Sequence, residues 1–275
     1  MAKVLVQLRK ELRGMADPGR AKNLQRFFKT GKGEYAEGDL FLGLTVPQSR
    51  LLVKKYWQEI SMKEAKELLH SQYHEERLIA LFILVAKFKK ADEAGKPAFA
   101  ASCAKAPKAE KATAGKPTFA KATAGKQEIF DLYLANTKFI NNWDLVDLSA
   151  PNIIGSYLYG PPSHKAMAGE AKILFKLARS KSLWERRIAM LATFYFIGKG
   201  EPRLALEIAE ILVNDSHDLI HKACGWMLRE IGKRCGQEIE EEFLQKHYKT
   251  MPRTMLRYAI ERFDDKKRKF YFGKK

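Results

Sequence analysis

The sequence has few cysteines, no long apolar run and no glycine-rich phosphate loop. Its 275 residues include three cysteines, Cys103, Cys224 and Cys235, without a Cys-x-x-Cys pair. This pattern argues against a disulfide framework or a cysteine zinc site and favours a reducing compartment. Residues 1–10 lack the apolar core of a signal peptide, and no apolar run reaches the roughly 18 residues that span a bilayer. We therefore expect a cytoplasmic protein without a membrane partner.

Histidines are also scarce, and their spacing gives little support for a metal site. Among the six histidines, His217 and His221 are four residues apart, which suits two ligands on one helix face. No third ligand is evident, and His217 suits a helix cap better. Cys224 is interpreted as a small core residue on an apolar helix. We expect neither a metal nor another cofactor.

Acidic residues are far outnumbered by basic ones. Fifty lysines and arginines face 32 acidic residues, which gives a formal net charge of +18. A charge of this size favours a polyanionic partner such as nucleic acid, because binding releases condensed counterions. High solubility is the alternative explanation. Hydrophobic residues make up 46% of the chain, enough to bury a core.

Alternating strand patterns are absent, and the ordered stretches have helical spacing. Leu5, Leu8 and Leu12 lie on one face of a first helix. Pro47 suits the first residue of a later helix, and Ser61, with a glutamate three residues on, forms a capping-box pattern. The sequence therefore predicts an all-α protein.

One segment, at about residues 90–127, departs from this pattern. Lys, Ala, Gly and Pro dominate it, and the hexapeptide at 111–116 recurs at 121–126. We interpret it as a low-complexity insertion into a single domain of 1–275, acting as a solvated tether, with DNA contact as the alternative. Its eight lysines and three acids account for +5 of the net charge, so the rest of the chain keeps +13.

A longer period underlies the helices. Similar helix starts recur at Arg77, Arg187, Lys222 and Arg257, and the last three are 35 residues apart. This period predicts stacked helical pairs of the HEAT-like kind, an α-α superhelix that forms a curved solenoid with a basic concave face. Near-equivalent repeat positions would line up on that face, where regularly spaced cations such as Lys222 could follow a duplex backbone.

Two tryptophans and one carboxylate carry the candidate chemistry. Trp143 and Asp147 are four residues apart and share a helix face, and Trp226 falls two repeats later. An indole can pack on deoxyribose, and an anion near C1′ can stabilise an oxocarbenium ion and orient water. Core positions for the tryptophans, and a solvated or acid-paired Arg187, are the structural alternatives.

With these residues the chain resembles the AlkD-like DNA glycosylases, DNA alkylation repair enzymes built from HEAT-like repeats. The resemblance covers nearly the whole chain except residues 90–127. The matching segments are Phe41-Leu42-Gly43-Leu44 with Pro47 and Arg50, Trp143-Asp144-Leu145-Val146-Asp147, Trp184-Glu185-Arg186-Arg187 and Gly225-Trp226-Met227-Leu228-Arg229-Glu230.

The resemblance implies base excision repair: hydrolysis of the N-glycosidic bond of N3- and N7-alkylated purines, such as 3-methyladenine and 7-methylguanine, in duplex DNA. It implies that Trp143 and Trp226 hold the lesion-bearing backbone. It also implies that Asp147 stabilises the sugar cation and positions water, with Arg187 in support and on a phosphate. Family positions that touch the DNA backbone correspond to Arg50, Lys54 and Arg229.

Two other functions stay open. One is a noncatalytic HEAT-like module that recognises DNA or RNA structure, which would bind without releasing a base. The other is a protein-binding scaffold, which would show little salt-dependent DNA affinity. A monomer is the simplest expectation in each case.

Overall fold

The computed structural model describes residues 2–94, 116–160 and 171–273. The described residues are helical, and their β-structure is limited to one isolated bridge, Leu40 with Tyr73, so the all-α prediction is confirmed. The chain divides into two compact units, residues 1–139 and 140–275. The prediction of a single domain is not tested by this division and stays a prediction. Within the described ranges, no helix combines the length and apolarity needed to cross a membrane.

The first unit is built from helices whose starts are marked in the sequence. Thr45 caps the helix that contains Pro47, and Gln48 completes a capping box. Ser61 and Glu64 form a second capping box, as predicted, with Ser61 Oγ accepting from the Glu64 backbone N–H at 3.3 Å. The helices are α1 Ala2–Gly14, α2 Pro18–Phe27, α3 Val46–Tyr56, α4 Met62–Leu69, α5 His74–Ala94 and α6 Lys116–Ala135, followed by a 3-10 turn, Thr137–Phe139.

Both described ends of the low-complexity segment are helical, which corrects the interpretation of a solvated tether there. Helix α5 continues to Ala94, and α6 already begins at Lys116. Lys126 Nζ pairs with Asp92 Oδ1 at 2.9 Å, and Gly125 lies against the Ala91 side chain. Alanine and lysine are good helix formers, so these ends extend the flanking helices and pack together. Residues 95–115, including Cys103, lie outside the described residues.

The second unit carries the candidate site and consists of short helices in succession. Asn142, Ser182 and His217 cap three of them through their side chains. The helices are α7 Trp143–Ala150, α8 Ser156–Tyr159, α9 Lys172–Ala178, α10 Leu183–Ala192, α11 Phe194–Ile197, α12 Arg203–Leu212, α13 Asp218–Arg234, α14 Gln237–His247, α15 Arg253–Ala259 and α16 Asp265–Gly273, with a π turn at Pro151–Gly155 and a 3-10 turn at Ile260–Arg262.

A repeated hydrogen bond fixes the register of the helical repeats. In three helices, the fourth residue donates from its side chain to the backbone carbonyl six residues earlier, just before the helix. The pairs are Arg77 with Ser71, Arg186 with Ser180 and His221 with Asp215, at 3.0, 3.0 and 2.5 Å. Arg77 therefore corresponds to Arg186 rather than to Arg187, which shifts the predicted alignment by one residue. The residue of the first unit that corresponds to Arg187 is Leu78.

Neighbouring repeat helices of the second unit approach each other closely. Helix α10 packs on α7 and on α13, and α13 packs on α15. A Cβ atom added to Gly225 would lie 2.4 Å from the Met255 carbonyl oxygen and 2.6 Å from the Tyr258 Cβ. Glycine is needed at this crossing because no side chain fits between the two backbones. This approach brings the starts of α13 and α15 together.

Candidate functional site

The site begins at the start of α7. Asn142 is fully buried, caps the helix and accepts from the Trp143 backbone N–H at 2.8 Å through its side-chain oxygen. Trp143 is the first residue of α7 and Asp147 the fifth, so one helical turn separates them on one face. Both side chains are half-buried. The helix thus presents an indole and a carboxylate side by side, as the sequence predicted.

Asp147 is held by Arg187 of the next repeat in a two-point ion pair. Arg187 donates from Nε to Asp147 Oδ1 at 2.8 Å and from Nη2 to Oδ2 at 2.7 Å. Planar guanidinium–carboxylate pairs of this kind fix orientation as well as charge. The Arg187 side chain is 5% exposed, whereas 14% of the Asp147 side chain remains exposed. The carboxylate is therefore fixed from one side and open at an edge.

The same guanidinium also reaches the following repeat. Arg187 Nη1 donates to the Leu219 backbone carbonyl, in the first turn of α13, at 2.5 Å. This carbonyl was not anticipated from the sequence, because a backbone acceptor leaves no residue signal. Arg187 thus connects α7, α10 and α13. Its burial favours the predicted supporting role, and the predicted phosphate contact of Arg187 is not tested.

The electrostatics of Asp147 reflect competition between burial and its arginine partner. Burial raises the pKa of the Asp147 carboxyl above its usual value, Arg187 opposes this rise, and the nearby Asp144 carboxylate adds to it. Both oxygens accept hydrogen bonds from Arg187, and this is the geometry of the ionised form. Asp147 therefore gains a proton more readily than an ordinary aspartate, and its two hydrogen bonds from Arg187 favour the ionised form.

Four neighbouring helices of the second unit carry charged residues at one equivalent position, and three of these residues are predicted site residues. The fifth residues of α7, α10, α13 and α15 are Asp147, Arg187, Lys222 and Arg257. We call these four residues the fifth-residue row. Two contacts support the alignment of these residues. Asp147 binds Arg187, and Arg187 binds the Leu219 carbonyl at the start of α13. The row runs from one anion to three cations.

Trp226 lies one turn beyond Lys222 on α13, so these two side chains share a face. Its ring is tilted against Phe194, with ring centroids 5.8 Å apart. The indole is half-buried, in contrast to Trp184, which is 8% exposed and belongs to the core. Trp226 therefore combines a packed side with an open one.

Comparison with known proteins identifies a family and a similar fold. The profile of a family described as "DNA alkylation repair enzyme" matches residues 8–263. The chain belongs to this family. A solved structure described as a predicted DNA alkylation repair enzyme from Enterococcus faecalis is similar in fold, with a TM-score of 0.60. The two chains share 15% identity, and the similarity covers 91% of this chain and 97% of the other. No curated protein matches the chain.

In this DNA alkylation repair family member, the predicted DNA-binding cations differ in whether they form ion pairs with carboxylates. Arg50 and Lys54 lie one turn apart on α3 in the first unit, and both are exposed. The Arg50 guanidinium lies 5.0 Å from the centre of the Phe82 ring. Such stacking orients the guanidinium without neutralising it.

The two predicted cations of α13 have carboxylate partners. Arg229 pairs with Glu261, a contact between distant residues that the sequence did not reveal. Lys222 Nζ pairs with Asp218 at 2.8 Å, four residues earlier on the same helix. That pair follows from helical spacing and was readable in the sequence. A phosphate that binds these cations would compete with Glu261 and Asp218 for them.

The remaining candidate groups have structural surroundings. His217 caps α13 as predicted, with Nδ1 accepting from the Leu219 backbone N–H at 3.1 Å. Cys224 is fully buried, and burial raises the pKa of its thiol. The described residues contain no cluster of three or more metal-ligating side chains.

A cavity of about 570 Å³ lies elsewhere in the second unit. Its apolar lining includes Leu158, Phe175, Phe196 and Leu204, and Glu201 and Glu207 stand among its polar residues. None of the site residues described above lines it.

Proposed function

We propose that this protein is a DNA glycosylase that hydrolyses the N-glycosidic bond of N3- and N7-alkylated purines in duplex DNA. Alkylation gives the base a positive charge, so the C1′–N bond can break without a general acid. The base leaves with the bonding electrons and becomes neutral. A water oxygen then bonds to C1′ and loses a proton to solvent, leaving an abasic site.

Asp147 carries this proposal. Its carboxylate is fixed by Arg187 through two hydrogen bonds and keeps 14% of its side chain exposed. An oriented anion of low mobility can stabilise the positive charge that develops at the sugar, because it need not reorganise during the reaction. The exposed edge leaves room for a water molecule beside C1′.

The aromatic residues are assigned to the sugar–phosphate backbone. Trp143 lies one turn from Asp147 on the same face, and Trp226 lies one turn from Lys222. Half-buried indoles present a flat apolar surface to deoxyribose C–H groups. The proposed phosphate contacts are Arg50, Lys54, Lys222 and Arg229.

The proposed substrate, pathway and location follow from the reaction. Alkylated duplex DNA is the substrate, and base excision repair is the process that consumes the abasic product. A monomer acting in the cytoplasm, on nucleoid DNA, is the simplest assembly for this reaction, and HEAT-like stacking of the helical pairs is the proposed repeat type.

A noncatalytic module that recognises nucleic-acid structure is a second candidate, and one observation favours it. Both oxygens of Asp147 already accept hydrogen bonds, as in a purely structural ion pair. In that case the pair would only hold α7 against α10. This module would bind DNA or RNA and release no base.

Base release from a defined lesion separates the two candidates. The purified chain is incubated with a duplex that carries one 7-methylguanine, and abasic sites are scored under single-turnover conditions. We expect Asp147→Asn to lower the rate by roughly 100- to 1,000-fold, because it removes a preorganised charge. Asp131→Asn, an exposed aspartate of α6, is the matched control.

Duplex binding and thermal melting are measured for the same variants. Unchanged binding by Asp147→Asn would show that the loss lies in the chemical step. Absence of base release by the wild-type chain, together with tight salt-dependent binding, would refute the glycosylase and support the module.

A further inference from the structure

Two arginines of α15 have no role in the proposed site, and one of them, Arg257, ends the fifth-residue row. Arg253 and Arg257 are the first and fifth residues of α15, and both are exposed. Among the ion pairs of the described residues, neither guanidinium has a carboxylate partner. Lys222 and Arg229, by contrast, are paired with Asp218 and Glu261. The end of the row thus carries two uncompensated charges one helical turn apart.

The start of α15 is joined directly to the start of α13. Burial raises the pKa of Asp218, but hydrogen bonds from the Lys222 and Thr254 side chains bring it below its usual value. Asp218 is the first residue of α13 and Thr254 the second residue of α15. The close approach at Gly225 holds the two helices together farther along. Arg253 and Arg257 therefore extend the face that carries Lys222.

Arg253 is also oriented before any partner binds. Its guanidinium lies 4.4 Å from the centre of the Phe272 ring, and Nη1 donates to the Phe272 carbonyl at 3.3 Å. Arg257 lies farther from an aromatic ring, 5.8 Å from that of Tyr258. A stacked guanidinium keeps its charge and its outward N–H donors, so little side-chain entropy is lost when a phosphate binds.

From this placement we infer that Arg253 and Arg257 form a clamp for the phosphate backbone of duplex DNA at a distance from the lesion. This clamp rests on the proposed function for its substrate. Planar guanidinium groups suit phosphate oxygens through paired hydrogen bonds. A protein partner of acidic surface is the alternative occupant, and duplex binding decides against it.

The fold sets the distance between the clamp and the reaction. Three helix-to-helix steps, from α7 through α10 and α13 to α15, separate Asp147 from Arg257. At about 8–10 Å for each step, the distance is roughly 25–30 Å. With a rise of about 3.4 Å for each base pair, the clamped phosphates lie no more than about 9 base pairs from the lesion. The contact needs flanking DNA on one side only.

Duplex length and salt test the clamp. Affinity for duplexes with one 7-methylguanine is measured against salt concentration. The long duplex has flanks of about 10 base pairs on both sides of the lesion. In each of two shortened duplexes, one of these flanks is cut to about 3 base pairs. We expect Arg253→Ala/Arg257→Ala to lower the slope of log affinity against log salt by about 1.8 on the long duplex. On one of the two shortened duplexes, the variant and the wild type should have equal slopes.

A charge-matched control separates contact from bulk charge. Arg203→Ala/Lys246→Ala removes two exposed cations from α12 and α14, and we expect it to leave the slope unchanged. An equal slope change in this control, or the same slope for the clamp variant and wild type on every duplex, would overturn the clamp. Thermal melting of both double variants shows that each is folded.

The result is independent of whether a base is released. A reduced slope in the clamp variant, combined with no base release by wild type, would support the clamp and refute the glycosylase. Base release by the clamp variant, combined with an unchanged salt slope, would support the glycosylase and refute the clamp.

Discussion

Two aspartate–arginine pairs, one in each compact unit, differ in how far they are enclosed. In the first unit Arg77 Nη2 donates to Asp39 Oδ2 at 2.6 Å, and both side chains are 5% exposed. In the second unit Asp147 remains 14% exposed beside Arg187. An enclosed pair can only hold structure, whereas a partly open one can also face a substrate.

The carboxyl pKa values move in opposite directions in the two pairs. Burial raises the pKa of Asp39, but a hydrogen bond to His74 and the charge of Arg77 outweigh it, so the pKa falls below its usual value. Burial also raises the pKa of Asp147, and Arg187 does not outweigh it. Asp39 has two basic partners and Asp147 has one. The pKa is therefore lowered for Asp39 and raised for Asp147.

The equivalent helix position shows the same contrast. The fifth residue of α5 is Leu78, which is 3% exposed and belongs to the core. In the second unit the same position carries Asp147, Arg187, Lys222 and Arg257. One repeated scaffold thus uses this position for packing in one unit and for charge in the other.

The largest effect is expected when the second unit is given the residue of the first. Arg187→Leu leaves the Asp147 carboxylate half-buried without its partner. We expect the free energy of unfolding to fall by about 3–5 kcal/mol. Base release, scored for the folded fraction, should fall roughly 100-fold because Asp147 is no longer fixed. Denaturant titration and single-turnover kinetics measure the two effects, and unchanged kinetics in the folded fraction would show that Arg187 does not position Asp147.

In the first unit the corresponding change should affect stability alone. Asp39→Asn removes the charge that Arg77 and His74 face, so we expect the free energy of unfolding to fall by about 3 kcal/mol. The rate of base release by folded protein should stay at the wild-type value. Circular dichroism during urea titration reports the first quantity. A loss of activity in the folded fraction would contradict the separation of the two pairs.

Acid sensitivity should follow the pKa of Asp147. The ionised carboxylate is the active form, so base release should decline as the pH falls through this pKa. Because burial raises the pKa, the decline should be centred above the ordinary aspartate value of about 3.9. Arg187→Lys should move the midpoint further up, since Arg187 opposes the rise. A midpoint at or below the ordinary value in the pH–rate profile would contradict the environment described for Asp147.

The smallest effect is expected for Lys222, whose ion pair with Asp218 lies within one helix at the surface. Lys222→Gln should change the free energy of unfolding by no more than about 0.5 kcal/mol, because surface pairs contribute little. The salt dependence of duplex binding should lose about 0.9 from its slope if Lys222 contacts one phosphate. Filter binding over a range of salt concentrations measures this change. An unchanged slope would remove Lys222 from the DNA-binding surface.

Much of the fold could be predicted from local signals. The capping box at Ser61 and Glu64 is confirmed, and the helix start predicted at Pro47 lies one residue earlier, at Val46. Caps and helical spacing depend on residues a few positions apart, so the sequence displays them directly. The alignment of Arg77 with Arg187 was wrong by one residue. Arg186 and Arg187 are adjacent, so from the sequence either of them could align with Arg77. The hydrogen bond from Arg186 to the Ser180 carbonyl identifies Arg186 as the equivalent residue.

Sequence by itself determined the helical class, the repeat period and the presence of Trp143 and Asp147 on one face, because each depends on spacing within or between short segments. Only the tertiary structure decided which charges meet. The contacts of Arg187 with Asp147 and Leu219, and of Arg229 with Glu261, join residues 32 to 40 positions apart. Their partners are selected by the packing of neighbouring helices, and among the described residues that packing also leaves Arg253 and Arg257 without a carboxylate partner.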